Sequence, residues 1–260
     1  MNVLVILTVI LMGLMILVFK KSAVYMITGT FINFFLFVLL LFLLSRGYPV
    51  YLVTFAIFLG VASVTLFYIN DVNAKTKAAF LCVILFLTIF TVVMLPVIQV
   101  FKVHGFALEE LEELQMMDFS VAVPFSALNT SIILMSFSGA VIDSSMAVSS
   151  STYEIYRFGD KRSLQALMRS SMTVVQEIFS STINTLLFAF MGSSLALIIW
   201  LQDLKYSFLD IINSKAFVGE LLISILSGIA AVVILPMTSA IASYLFYNRR
   251  FEEGRKDNLE

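Results

Sequence analysis

The sequence predicts an all-α integral membrane protein, a bundle of about seven transmembrane helices with the N-terminus outside and the C-terminus inside. Three observations carry that prediction. Apolar residues make up 60% of the chain and charged residues only 13%, against roughly a quarter charged in soluble domains. The apolar residues come in blocks of about 17–25 or more, the length that crosses a bilayer. Lysine and arginine fall unevenly between alternate connections, as they do in helical membrane proteins.

The first block is Val3–Phe19, followed by Lys20 and Lys21. A cleaved signal peptide carries its positive charge before the apolar core, so this block reads as an uncleaved first span. The second block, 23–44, has Asn33 in its first half, placed to hydrogen-bond a neighbouring helix. A short turn, Arg46–Pro49, leads to the third block at 50–69, and a polar loop leads to the fourth at 78–101, where Pro96 predicts a kink. Leucines among glutamate pairs then predict an amphipathic surface helix over 107–118, its Glu109–Glu113 cluster facing solvent. The fifth block, 122–148, is the most polar. Apolar positions at helical spacing predict a second surface helix over 160–179, lying along the membrane and leading into the sixth block, 180–201. The seventh block, 217–246, contains Pro236. These blocks form one transmembrane domain, 1–260, with no internal repeat and no low-complexity tail.

Seven spans place Lys20, Lys21, Lys75, Lys77, Arg157, Lys161, Arg162, Arg169, Arg249, Arg250, Arg255 and Lys256 inside. Only Arg46, Lys102, Lys205 and Lys215 fall outside. Net charge is close to zero, which gives no argument for a nucleic-acid partner. The single histidine, His104, has no cysteine or second histidine nearby, so no transition-metal site and no cofactor is expected. Cys82, the only cysteine, sits in an apolar block as a small packing residue. No paired intramembrane acids, Ser–His pair, HExxH or GxxxxGK[ST] motif is present, so the chain is not expected to be an enzyme and no catalytic residue is assigned.

The functional candidate is Asp143, an acid in an apolar setting with no compensating lysine or arginine close in sequence. An ionisable group inside a bilayer costs roughly 2.5–3.5 kcal/mol on insertion scales, and chains that keep one give it a partner, a water path or a task. Asn129, Ser136, Asp143 and Ser150 are spaced by seven and share a helix face, joined by Gly139 and Glu154. A stripe of this kind faces other helices or water. Asn184, Thr185 and Gly192 on the sixth span are its candidate partners for a polar path or for close packing. Asp143 and Glu154 are the candidate ion- or proton-coupling groups. The alternative is an acid that only fixes packing.

At GAVIDSSMAVSSSTYEIYR and NTLLFAFMGSSLAL the chain resembles the YibE/F family of bacterial multi-pass membrane proteins, over about Thr91 to Tyr247. That resemblance implies a location in the bacterial cytoplasmic membrane and a related YibE/F-type protein as partner, or self-association. It carries no assigned activity. Gly139-x-x-x-Asp143, with Glu154, Gly159, Ala166, Ser170, Ile178 and Thr182, is also similar to helices four and five of the SecD/SecF, RND and MMPL transporters. This second resemblance implies an RND-like arrangement of helices two to seven and proton coupling through Asp143. Those families carry a large external domain where this chain has only Arg46–Pro49. The expected function is a permease-like subunit of a transport or export system. The alternative is a non-transporting scaffold that assembles with a related membrane protein.

Overall fold

The computed structural model describes residues 3–101, 125–159, 163–203 and 205–256, with the side chains of residue 4 and of 94–101, 125–130 and 249–256 set aside. The surface helix expected at 107–118, His104 and the Glu109–Glu113 cluster lie outside the described residues. Among the described residues the chain is helical and contains no strand. The helices are α1 (Val3–Phe19), α2 (Lys21–Ser45), α3 (Val50–Ser63), α4 (Ala74–Phe101), α5 (Phe125–Ser136), α6 (Ser138–Phe158), α7 (Leu164–Asp203), α8 (Phe208–Asn213) and α9 (Lys215–Lys256). Residues Val64–Ile69 continue α3 as a π-helical segment.

Among the described residues, six spans are long and apolar enough to cross a membrane: Lys21–Ser45, Val50–Ile69, Ala74–Val93, Ser131–Phe158, Leu164–Asp203 and Lys215–Asn248. The remaining predicted span, α1, is an apolar helix of 17 residues, at the lower limit for crossing. Its side chains are exposed along nearly its whole length. It ends at Lys20, whose φ of 50° separates it from α2.

Helices α4, α6 and α9 form the centre of the bundle, α7 packs along α6 and α9, and α2 with α3 flanks the other side. The main core gathers Phe58, Leu66, Phe86, Phe90, Leu134, Phe137, Ile142 and Ile234. Phe137 sits at its middle, with ring centroids 4.8 Å from Phe90, 6.1 Å from Phe86 and 6.2 Å from Phe58. Outward apolar side chains such as Phe34, Leu52 and Phe188 give the bundle a greasy exterior, suited to lipid rather than water.

Three features differ from the expected spans. The fifth span is broken at Phe137 into α5 and α6 and runs on to Phe158. Ser136 and Ser138 donate back to the carbonyls of Ile133 and Met135, a local bond that competes with the helical ladder. The stretch expected as a separate surface helix over 160–179 is instead continuous with the sixth span: α7 is one helix of 40 residues, about 60 Å long. Its early residues Leu167, Ser171 and Val175 are buried, so packing holds them in line with the rest. The connection between the sixth and seventh blocks, which carries no predicted element, contains the short helix α8, capped by Ser207 and Asp210. Pro236 leaves α9 unbroken.

The junctions bearing Lys20, Lys21, Lys75, Lys77 and Arg157 lie at one end of the bundle. Contacts between Gly29 and Ile69, between Lys75 and Glu154, and between Phe246 and both Tyr153 and Tyr156 tie those helix ends together. This is the basic end. At it, Asn73 and Thr76 cap α4 by exchanging backbone-to-side-chain bonds of 2.9 and 3.0 Å.

Candidate functional site

Helix α6 has two polar faces, and the bundle treats them differently. Ser145, Ser149 and Thr152 recur at helical spacing and are fully buried. The Ser145 hydroxyl donates to the Ala79 carbonyl at 3.1 Å and receives a bond from Thr238 at 3.3 Å. The Ser149 hydroxyl donates to the Lys75 carbonyl at 2.7 Å. Thr152 donates to the Val148 carbonyl, and its hydroxyl meets that of Ser171 at 2.6 Å. Ser239 donates to the same Ser171 oxygen at 2.8 Å. Four helices are thus joined by small hydroxyls, each of which satisfies its polar atom without leaving a void.

The opposite face carries the acid. Asp143 stands about 22 Å along the helix from Phe158, within the membrane-length span Ser131–Phe158. It lines an open cleft of about 240 Å³ between α6 and α7, walled by Ala140, Ser144, Ala147, Ile178, Ser181, Thr182, Thr185 and Leu186. Among the described residues, Asp143 is the only ionisable side chain on that wall. The small residues Ala140, Ser144 and Ala147 leave the space between the two helices unfilled, while Ser181, Thr182 and Thr185 add hydroxyls from α7. Thr185 spends its proton on the Ser181 carbonyl at 3.0 Å, which leaves its oxygen's lone pairs free to accept. The cleft therefore offers one carboxylate and several oxygen acceptors, a set that suits a proton, a water chain or a small cation.

The predicted stripe divides between neighbours. Ser136 meets the Ser227 hydroxyl of α9 at 3.3 Å. Gly139 is exposed, with nothing within 4 Å of where a Cβ would stand. Asp143 enters the cleft, and Ser150 is half-buried. Glu154 bonds Lys75 of α4 at 2.5 Å and stands outside the cleft lining. The side chain of Asn129 falls outside the described set. On α7, Thr185 reaches the cleft. Asn184 is exposed, and so is Gly192, again with nothing within 4 Å of its missing Cβ.

Sequence reasoning missed two pieces. Ser144 belongs to the cleft wall, and Ser145–Ser149–Thr152 form the hydroxyl seam. The spacing of four and then three was the signal for the seam, and it lay in plain view beside the stripe. The π-helical segment was also unforeseen. There Asn33 donates to the Thr65 hydroxyl at 3.1 Å, Thr28 meets the Tyr68 hydroxyl at 3.0 Å, and the Asn33 carbonyl oxygen is buried without a partner.

A bundle of membrane-length helices with an acid on a cleft between two of them defines a polytopic helical membrane protein. The family model described as YibE/F-like protein matches residues 7–248, nearly the whole length, so the chain belongs to the YibE/F-like family. Comparison with curated proteins and with solved structures finds no match.

Proposed function

We propose that this chain is a permease-like subunit of a bacterial transport or export system, working in the cytoplasmic membrane and coupled to an ion or proton through Asp143. One observation carries the reading. Among the described residues the sole ionisable group on the α6–α7 cleft is a carboxylate within a membrane-length span, with no cationic side chain on the wall to neutralise it. Kept from bulk water, such a group is favoured protonated or with a bound cation, and exchange between those states would couple an ion to conformation. Hydroxyls of Ser144, Ser181, Thr182 and Thr185 support water or a cation beside it. Glu154 would fix the basic end through Lys75 rather than carry the ion. The proposal gives the chain no enzymatic step. The position of the acid and the number of long spans also favour a relation to the RND-type arrangement.

The test is ion- or proton-driven flux in vesicles holding the chain with and without its paired relative. Asp143→Asn is expected to abolish flux while the protein inserts and folds normally. Flux at the wild-type level in that variant would sink the proposal.

The second reading is a scaffold that assembles with a related membrane protein. It draws support from the uncovered positions Gly139, Asn184 and Gly192, since an amide facing lipid is costly and small residues admit a neighbouring backbone. Under this reading Asp143→Asn weakens co-purification with the partner, and pH has little effect.

A further inference from the structure

A second cleft, of about 490 Å³, opens at the basic end between the start of α4 and the end of α9. Its walls are Ala74, Lys77, Ala78, Leu81, Leu245, Phe246 and Asn248. Their order along the helices is informative. Lys77 and Asn248 stand at the outer rim, Asn248 at the end of the membrane-length part of α9, while Leu81 lies one turn deeper and Leu245 and Phe246 two to three residues deeper in the span. Lys77 to Leu81 is one helical turn, about 6 Å of depth. The cleft is therefore polar where the bundle meets the headgroup layer and apolar where it meets the acyl chains. A free anion would use only the rim, whereas a phospholipid matches both halves.

Charge on the rim is also free to act. Lys75, the nearer lysine in the same turn, is held by Glu154 and lies over the Tyr153 ring. Lys77 is exposed and forms no ion pair among the described residues. The sequence places two further arginines, Arg249 and Arg250, directly after Asn248 in the same helix. Basic pockets between helices at a cytoplasmic surface favour anionic headgroups, and a lysine stem can lie along apolar wall while its ammonium reaches the phosphate.

We propose that the cleft between the start of α4 and the end of α9 binds one anionic phospholipid, its phosphate at Lys77 and Asn248 and an acyl chain against Leu81, Leu245 and Phe246. The site is independent of the Asp143 cleft.

The experiment uses the full chain in detergent, delipidated and then titrated with dioleoyl-phosphatidylglycerol, with dioleoyl-phosphatidylcholine and with inorganic phosphate. Bound molecules are counted by native mass spectrometry. Phosphatidylglycerol is expected to be retained about fivefold better than phosphatidylcholine, the effect of one lysine near a membrane surface. Lys77→Gln should erase that preference and Lys77→Arg should keep it. Equal retention of the two lipids, or a preference that survives Lys77→Gln, overturns the site. So does inorganic phosphate that binds as tightly as the lipid, since the rim alone would then account for the affinity.

Discussion

Ser171 shows how much one small side chain can hold. It is fully buried on α7, and its hydroxyl joins Thr152 of α6 to Ser239 of α9. Hydrogen bonds between membrane helices average only about 0.6 kcal/mol and reach about 1.7 kcal/mol. Ser171→Ala removes two such bonds, although Thr152 keeps the Val148 carbonyl as acceptor. The expected loss is about 1 kcal/mol, read as an earlier midpoint on unfolding in mixed micelles. Ser171→Leu adds bulk where three helices meet and should cost more than the alanine, because overpacking forces the helices apart. A leucine variant as stable as wild type would mean that the seam is loosely packed. Nothing among the sequence neighbours of Ser171 announced that Thr152 and Ser239 converge on it. That convergence depends on how three distant segments pack.

Among the elements, the spans were legible because a 20-residue apolar block has few other uses. The interruptions were not, since they depend on contacts between blocks. The break at Phe137 follows from two serines bonding backwards and from an aromatic ring held among Phe58, Phe86 and Phe90. The π-helical segment is fitted to α2: a Cβ at Gly29 would stand 2.6 Å from two carbons of the Ile69 side chain. Gly29→Ala is therefore expected to destabilise by about 1–3 kcal/mol. Adding Ile69→Ala should recover part of that loss in a double-mutant cycle, and complete independence of the two substitutions would refute the close contact. Helix α8 makes a separate prediction. Ser207 donates from its backbone and hydroxyl to the Asp210 carboxylate, which holds that acid below the ordinary carboxylate range. A depressed folded value means the cap contributes above the unfolded value of about 4 and is lost as pH falls through the folded one. Amide exchange over Phe208–Asn213, corrected for intrinsic rate, should accelerate on acidification below about pH 4. Asp210→Asn should show faster exchange already at neutral pH and little further acceleration.

At the scale of the whole molecule, the question is what covers the exposed positions Gly139, Asn184 and Gly192. The sequence located these residues and grouped them with Asp143, but the grouping rested on helix periodicity, which cannot tell a path within one chain from a surface between two. Thr185 and Asp143 share a cleft, whereas Gly139 and Gly192 point into open space. A leucine at either glycine meets no atom within 4 Å near its Cβ, and it replaces a weak helix former with a strong one. Gly139→Leu and Gly192→Leu should therefore leave the isolated chain as stable as wild type or slightly more so. Their effect on assembly is the informative readout. If a second copy or a paired YibE/F-type protein packs its backbone here, each leucine should abolish cross-linking and co-purification, since small-residue interfaces do not admit a branched side chain. If lipid covers the face, assembly is unchanged. Combined with Asp143→Asn flux, the pair of measurements assigns the two clusters separately. Loss of flux with assembly intact places function in the cleft, and loss of assembly with a stable monomer places it at the glycine face.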